Sequence, residues 1–436
     1  MEKAFGFRTG THSIRTEIVA GVTTFFTMVY MLALIPSILG QIPGMPAEAA
    51  FTATGIIIIA STLFIAFIAK RPFVMAPDLG ANAFIVYSLC LGAGHSWQFA
   101  ATAVLITGII STILTLTHIR QRILDAIPDC IKHAIGAGIG IFLAFVGLQN
   151  SGMIVDSSSG FVQLGTLTSG PGLLAVIGIC ITCPLAMRHV KGSMLIGILS
   201  TFIIGFFIHD PATGDALTKF NGVAALPPDV SPVLFKFTLE NIFSADMFSA
   251  VIPLLFMNLF GNLGSGIALN AKAGYVNEDG SVQGINSLFL CDSLGTTLSG
   301  CFGCTPVTNL AESSAGIGTG GRTGVAALTT AICFVLAMFL APLFLAIPGS
   351  ATAPALIIIG MMMMEPIVKI DWLDYRESIP AFLTVVLMPF TYSIADGIMI
   401  GIISYTVLYA LTGKYKKITA VMWMLAAIFI LKYIFF

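Results

Sequence analysis

The feature that most constrains this chain is a succession of about fifteen apolar runs, most of them close to 20 residues long. A helix needs about 20 predominantly apolar residues to cross the hydrocarbon core of a bilayer. Only 9% of the 436 residues are charged and 57% are apolar, whereas a soluble domain carries about 25% charged residues. The pattern predicts an all-α polytopic membrane protein in a lipid bilayer, and it excludes a soluble protein and a single-pass receptor.

The apolar runs form two sets, separated by a polar, proline-containing stretch. The first set lies near 17–40, 49–69, 79–92, 97–117, 131–148, 171–187 and 193–208. The second set lies near 247–269, 283–300, 306–317, 323–346, 351–364, 378–392, 394–411 and 418–436. We therefore predict a first repeat at 1–208, a linker at 209–245 and a second repeat at 246–436. The last run is either a fifteenth crossing or an apolar helix at the interface. The first run is long enough to remain a span, so we expect no cleaved signal peptide.

Basic residues follow every second run, which predicts the orientation of the chain. They are Lys70, Arg71, Arg120, Arg122, Arg188, Lys191, Lys272, Arg322, Lys369, Arg376, Lys414, Lys416 and Lys417. Because Lys and Arg concentrate in cytoplasmic loops, we expect a cytoplasmic N-terminus. Seven spans is an odd number, so the second repeat must enter the membrane inverted. About 14 spans in 7+7 inverted repeats are typical of secondary transporters, whose binding site lies near the midplane on broken helices.

The third run of each repeat is short and follows a proline-containing stretch. These stretches read PFVMAPDLG at 72–80 and GCFGCTPVTN at 300–309. Residues before proline avoid the α region, so each segment is expected to begin extended and to continue as a half-helix. Non-helical backbone at membrane depth is tolerated where it is buried in protein or lines a cavity. The matching positions favour broken third and tenth spans over two ordinary loops.

Ionisable residues within spans are scarce, so each is a candidate for function. Glu312 opens the second half-helix, where a carboxylate can accept hydrogen bonds from ring N–H groups or carry a proton. The alternative for Glu312 is a charge satisfied by the helix dipole. Asp78 opens the first half-helix and is either a proton carrier or a helix cap. The amide of Asn82 can donate and accept hydrogen bonds, to a ligand or to a neighbouring helix.

Further polar side chains recur in the eighth run, FMNLFGNLGSG at 256–266, and in the first run. Asn258, Asn262 and Ser265 share one helix face, so they contact either a ligand or a neighbouring helix. On the first run, Thr23, Thr24 and Thr27 form a smaller polar patch, of which we expect Thr27 to contact the substrate. Asp292 and the other acidic residues near span ends are interpreted as structural.

Other function classes find no support in the residues. Two cysteine pairs have CxxC spacing, Cys180/Cys183 and Cys301/Cys304, but each set falls short of four metal ligands. We interpret them as small packing residues and expect no metal or other cofactor. The sequence contains no basic tract for nucleic acid and no HExxH or GxSxG motif. We therefore expect neither nucleic-acid binding nor an enzyme.

These motifs resemble those of the nucleobase–cation symporter family (the xanthine/uracil permease superfamily), in its purine permease branch. The stretch ESSAGIGTGGRTG at 312–324 is similar to the tenth-span signature of that branch. The first-span stretch AGVTTFFTMVY at 20–30, the third-span stretch APDLGANAF at 76–84 and the twelfth-span stretch APAL at 353–356 are similar as well. The order and spacing of the motifs match along nearly the whole chain.

The resemblance implies proton-coupled uptake of adenine, guanine or hypoxanthine across the cell membrane, commonly by a homodimer. It implies a core of spans 1–4 and 8–11 that moves against a gate of spans 5–7 and 12–14, with the substrate between the third, eighth and tenth spans. By position, Glu312 would hold the base and Asn82 would be the third-span polar contact. Leu310 and Ala311 would offer backbone groups beside the ligand.

The eighth span departs from the family pattern. Relatives typically have Phe-Asp-Thr-x-Gly-Thr there, often with a further Asp three residues earlier. Here the acidic positions are Gly261 and Asn258, and the threonine is Asn262. Asp78 stands where relatives usually have glycine, so either a relocated acid serves the site or the site lacks one. Two alternatives to purine uptake stay open: transport of a different heterocycle or an organic anion, and a channel or sensor that does not transport.

Overall fold

The computed structural model describes residues 2–7, 12–157, 162–211, 213–220, 222–239, 242–277 and 282–435. Within these residues, eight helices are long and apolar enough to cross a membrane: Ile14–Leu39, Ala47–Ala69, Trp97–Leu116, Asp129–Asn150, Gly170–Met187, Gly324–Leu345, Gly349–Lys369 and Ile394–Leu411. Shorter apolar helices lie at Leu79–Gly92, Ser193–Ile204, Ala245–Leu259 and Ala420–Ile434. The predicted all-α polytopic fold class is confirmed.

The elements are numbered in chain order. The α-helices are α1 Glu2–Phe5, α2 Ile14–Met28, α3 Met31–Leu39, α4 Ala47–Phe64, α5 Leu79–Ala83, α6 Trp97–Leu116, α7 Ile119–Ala126, α8 Asp129–Asn150, α9 Gly170–Met187, α10 Ser193–Ile204, α11 Ala245–Ala273, α12 Ile285–Cys301, α13 Ser313–Gly318, α14 Gly324–Ala337, α15 Ala341–Leu345, α16 Gly349–Met363, α17 Tyr375–Phe390, α18 Ile394–Leu411 and α19 Ala420–Phe435. The strands are β1 Met75–Pro77, β2 Ile154–Asp156, β3 Val162–Leu164 and β4 Val307–Asn309. Segments of π-helix, Ile65–Ala69 and Phe84–Gly92, extend α4 and α5.

The helices pack in two groups. In the first, α2 packs on α14, and α6 packs on α11 and α12; in the second, α8 packs on α16 and α17. Glycines allow the close approach within each group. A β-carbon at Gly108 would lie 2.4 Å from the backbone nitrogen of Thr297, and one at Gly140 would lie 2.4 Å from the carbonyl oxygen of Gly360. Small residues at such contacts are typical of helix packing in membranes.

The connections differ in detail from the sequence interpretation. Between α10 and α11 the described residues form one isolated bridge, His209 with Ala216, and no further helix or strand. The connection at 149–170 contains an antiparallel hairpin, β2 with β3, which was not predicted. Arg120, interpreted as a free cytoplasmic loop charge, instead lies on α7 and is 1% exposed. Arg120 nevertheless follows the fourth span as the sequence places it, and the orientation of the chain stays a prediction.

The last helix, α19, lies lengthwise along α18. At its start, the Thr419 hydroxyl donates to the Ala126 carbonyl oxygen at the end of α7, at 2.9 Å. Near its end, the Tyr433 hydroxyl donates to Asp396 in the first turn of α18, at 2.7 Å. The helix α19 therefore runs antiparallel to α18, and the choice between a fifteenth crossing and a helix at the interface stays as the sequence left it.

Candidate functional site

The two segments predicted to be broken meet in the interior as a short ribbon. Strands β1 and β4 pair antiparallel, with Met75 opposite Asn309 and Pro77 opposite Val307. The backbone N–H of Asp78 donates to the Pro306 carbonyl at 2.7 Å and extends the pairing by one residue. The strand residues are all buried. Since each strand is followed by a short helix, α5 or α13, the ribbon sets the positions of both half-helices.

Glu312 lies directly before α13, where β4 gives way to the half-helix. Its side chain is half-buried, the preceding Ala311 is exposed and Leu310 is half-buried. The Tyr30 hydroxyl donates to Glu312 Oε1 at 2.7 Å. The Thr27 hydroxyl lies 3.5 Å from the Glu312 carbonyl oxygen. The first span therefore contacts Glu312 at its carboxylate, through Tyr30, and at its backbone carbonyl, through Thr27.

Asp78 caps the first half-helix with one carboxylate oxygen. Its Oδ1 accepts a hydrogen bond from the backbone N–H of Ala81 at 2.7 Å. Its Oδ2 is oriented towards α11, since a β-carbon built at Gly261 would lie 3.9 Å from that oxygen and 3.6 Å from the hydroxyl oxygen of Thr308. Gly261 is exposed. Asp78 is therefore a helix cap whose second oxygen lies beside the space that the missing side chain of Gly261 leaves open.

Asn82 is the most unusual polar residue of the site. It is fully buried, and neither its Oδ1 nor its Nδ2 has a hydrogen-bond partner among the described residues. A buried polar group left unpaired costs about 1–3 kcal/mol. Native proteins keep few such groups, and each points to a missing partner such as a ligand or a water molecule.

Asn258 has its amide engaged within the protein. Its Nδ2 donates to Asp292 Oδ1 at 2.8 Å and to the Thr296 hydroxyl at 3.0 Å, and its Oδ1 accepts from the Ser111 hydroxyl at 3.2 Å. The same Nδ2 lies 3.5 Å from the Val307 carbonyl of β4. Asn258 thus joins α11 to α6, α12 and the ribbon.

Asn262, one turn further along α11, holds the end of β4. Its Oδ1 accepts from the backbone N–H of Asn309 at 2.8 Å and from Asn309 Nδ2 at 3.0 Å. Its Nδ2 donates to the carbonyl oxygens of Asn258 and Val307, at 3.2 Å each. In this structure the amides of Asn258 and Asn262 both position the ribbon.

A buried ion pair lies behind Asn258. Arg120 Nη2 lies 2.6 Å from Asp292 Oδ2, and the two side chains are 1% and 0% exposed. The guanidinium also donates to the Asn258 carbonyl at 3.2 Å and stands over the Phe289 ring, 4.2 Å from its centroid. Asp292, interpreted as a structural residue, is here connected through Asn258 to the ribbon.

Sequence reasoning missed two of these residues as members of the site. Tyr30 ends the first-span stretch AGVTTFFTMVY and lies three residues after Thr27. Residues three apart share a helix face, so Tyr30 could have been predicted as a further member of the polar patch. Arg120 gave no such signal, because its partner is distant in the sequence. Among the described residues, no group of three His, Cys, Asp or Glu side chains could hold a metal ion. A groove of about 660 Å³ opens elsewhere, between 243–249 and the end of α19, and none of the site residues lines it.

The chain is similar to known proteins in both sequence and fold. The Permease family (Xan_ur_permease) matches residues 15–400. The adenine permease AdeP of Escherichia coli is 34% identical over 435 residues, covering 100% of this chain and 96% of that protein. The guanine/hypoxanthine permease PbuG of Bacillus subtilis is 37% identical over 432 residues, covering 97% of each.

Among solved structures, the transmembrane domain of a cyanobacterium bicarbonate transporter, BicA, is similar with a TM-score of 0.66. The similarity covers 89% of this chain and 98% of that one, at 17% sequence identity. At that identity the likeness shows the fold alone: the helices described above form a known transporter architecture.

Proposed function

The chain belongs to the Permease family, and it is a transporter rather than an enzyme; from that premise we propose that it takes up a purine nucleobase together with a proton. The substrate would be adenine, guanine or hypoxanthine, which the names of two relatives mention. The proposed place of action is the cell membrane, with the N-terminus in the cytoplasm.

The observation that carries the proposal is the unpaired amide of Asn82 at one half-helix, together with the half-buried carboxylate of Glu312 at the other. Asn82 offers a buried amide, with an NH2 group that donates and an oxygen that accepts, and neither has a partner among the described residues. Glu312 offers a carboxylate beside the accessible Ala311. A purine base carries ring N–H donors and ring nitrogen acceptors on its edges, so its chemistry matches both an amide and a carboxylate. The Leu310 N–H donates to the Val74 carbonyl oxygen at 3.3 Å, and the carbonyl oxygens of Leu310 and Ala311 accept from the first residues of α13. The Ala311 N–H and the hydroxyl of Thr27 are therefore the further candidate contacts at these positions.

Proton coupling is proposed for the two carboxylates. Glu312 has one oxygen engaged by Tyr30, and Asp78 has one oxygen engaged by the cap of α5. In each case the second oxygen remains for a proton or for a substrate N–H. The position of Asp78 Oδ2 beside Gly261 supports the relocated-acid interpretation, since the carboxylate comes from the third span where the eighth span has none. Asn258 and Asn262 would then support the site by holding the ribbon.

Transport would proceed by alternating access, with spans 1–4 and 8–11 as the core and spans 5–7 and 12–14 as the gate. The two packing groups of helices support this division. The groups also meet at a polar contact beyond the site, where the Ser88 hydroxyl donates to the Tyr392 carbonyl at 2.7 Å. There the Tyr87 hydroxyl lies 3.0 Å from Asn150 Nδ2. Breaking and re-forming such contacts would open and close one side. The repeats 1–208 and 246–436, the linker 209–245 and a homodimer remain part of the proposal.

Uptake of radiolabelled bases into cells that lack their own base permeases tests the function. The wild type, Glu312→Gln and the control Glu365→Gln are compared at equal expression. Glu365 is an exposed carboxylate outside the site, so the control changes the same chemistry elsewhere. Because a hydrogen bond to a charged group is worth about 1.5–3 kcal/mol, Glu312→Gln should lower uptake by about 10-fold to 100-fold. A protonophore should abolish accumulation in the wild type.

The outcomes separate the alternatives. Accumulation of organic anions without any base would support the anion transporter. Equilibration of a base without accumulation would support a channel. If no base enters, or if Glu312→Gln behaves as the wild type does, purine uptake through this site is wrong.

A further inference from the structure

We infer that Tyr30 is a positioning residue for Glu312, and that it assigns different tasks to the two carboxylate oxygens. Oε1 is held by the tyrosine, and Oε2 is the oxygen that receives the N–H of the base or the proton. This inference rests on the proposed function for its substrate, and it concerns a residue of the first span.

The geometry places Tyr30 behind the carboxylate. Tyr30 lies in the turn between α2 and α3, and it is fully buried, whereas Glu312 is half-buried. The distance of 2.7 Å between Tyr30 Oη and Glu312 Oε1 is that of a charge-assisted O–H···O⁻ hydrogen bond. No hydrogen bond from another described side chain reaches Oε2. The carboxylate is therefore fixed from its buried side, through one oxygen.

This arrangement preorganises the site. A free glutamate side chain loses rotamer freedom when it is ordered against a ligand, at a cost of up to about 2 kcal/mol. A bond that already orders the side chain removes part of that cost from substrate binding. The tyrosine gains from the pair as well, because a buried hydroxyl without an acceptor is unfavourable. The hydrogen bond therefore orders the carboxylate of Glu312 and gives the buried hydroxyl of Tyr30 an acceptor.

The pair also connects the first span to the tenth. Thr27 and Tyr30 both contact Glu312, one through its carbonyl oxygen and the other through its carboxylate. A displacement of α2 and α3 relative to α13 would break the hydrogen bond from Tyr30 to Oε1. The Glu312 side chain would then no longer be ordered for the substrate, so substrate contact at Oε2 would be strongest in the arrangement seen here.

Equilibrium binding to the purified protein tests the inference with four proteins: wild type, Tyr30→Phe, Glu312→Gln and the double variant. Tyr30→Phe keeps the ring and removes only the hydroxyl, so it should fold as the wild type does, which thermal unfolding without ligand verifies. Adenine, guanine and hypoxanthine serve as probes. We expect Tyr30→Phe to raise the Kd of the bound base by about 10-fold. In the Glu312→Gln background the same substitution should change Kd by less than about twofold, because groups that act through one another are not additive.

A matched control removes a tyrosine hydroxyl elsewhere. Tyr275 donates to the Arg322 carbonyl at 2.5 Å, outside the ribbon and its half-helices. Tyr275→Phe should leave Kd unchanged. An unchanged Kd in Tyr30→Phe, or equal effects of Tyr30→Phe in the two backgrounds, would overturn the inference.

A second measurement needs no base. Carbodiimide labels accessible carboxyl groups, and mass spectrometry gives the rate at Glu312 in the intact protein. Since Tyr30→Phe frees Oε1, labelling of Glu312 should become at least about threefold faster, whereas Tyr275→Phe should not change it. An unchanged rate overturns the inference. If the wild type binds none of the bases, the proposed substrate is wrong, and the labelling rate alone then decides on the role of Tyr30.

Discussion

Replacing Asp292 by asparagine removes one charge from the buried pair and leaves the Arg120 guanidinium unpaired. The pair is 2.6 Å apart, and its side chains are 0% and 1% exposed. At an effective dielectric constant of about 20, two unit charges 4 Å apart attract each other by about 4 kcal/mol. Removing one partner of a buried pair costs about 3–5 kcal/mol. The remaining hydrogen bonds of Arg120, to the carbonyls of Phe289 and Asn258 and to the Ser293 hydroxyl, have neutral acceptors and offset only part of this loss.

The assay is thermal unfolding of the purified protein in detergent, with two comparison variants. Asp215→Asn breaks the pair with Lys219, whose side chains are 62% and 70% exposed, so it should cost at most about 1 kcal/mol. The double variant Arg120→Met/Asp292→Asn removes both buried charges and should regain a large part of the stability lost in Asp292→Asn. If Asp292→Asn unfolds at the same temperature as Asp215→Asn, the buried pair does not stabilise the protein more than an exposed one. If the double variant is no more stable than Asp292→Asn, the unpaired charge of Arg120 is not the cause of the loss.

Three further predictions concern Asn82, a pair of helix glycines and Asp374. Asn82→Leu should leave the ligand-free protein at least as stable as the wild type, because it removes an unpaired buried amide; it should also abolish the rise in melting temperature that a bound base produces. Gly108→Ala should destabilise the protein, because its β-carbon would lie 2.4 Å from Thr297 N. Gly136→Ala, with nothing within 4 Å, should stabilise it by about 0.5–1 kcal/mol, and paired thermal melts check both glycines. Hydrogen bonds from Arg376 lower the pKa of Asp374, in the connection before α17, to about 2. Its contribution to stability is therefore fully present above about pH 4 and is lost as the pH falls towards 2, so Asp374→Asn should flatten that part of the stability profile measured by thermal melts.

The fold class and the places of the helices could be predicted because a bilayer imposes length and hydropathy on each span. The broken spans were predictable as well, since Pro77 and Pro306 interrupt their apolar runs at matching places. The pairing of β1 with β4 was not predictable, because a three-residue strand has no sequence pattern that identifies its partner.

The site could be predicted only as a set of single residues. Glu312, Asp78 and Asn82 stand out by their chemistry in apolar surroundings. The hydrogen bond from Tyr30 to Glu312 joins residues 282 positions apart, and the pair of Arg120 with Asp292 joins two helices that the sequence does not link. Tertiary packing decides such contacts. The sequence left Asp78 as either a helix cap or a proton carrier because its contacts also depend on tertiary packing. Only the fold shows that one oxygen caps α5 while the other lies beside Gly261.

The central claim is that the two half-helices bind a purine base between Glu312 and Asn82. A structure of the wild-type protein determined with a saturating base tests it most directly. We expect a base with a ring N–H within about 3.2 Å of Glu312 Oε2, the Asn82 amide hydrogen-bonded to the ligand, and the Tyr30 hydroxyl still hydrogen-bonded to Oε1. A base bound away from both residues, or an Asn82 amide still without a partner in the occupied site, would contradict it.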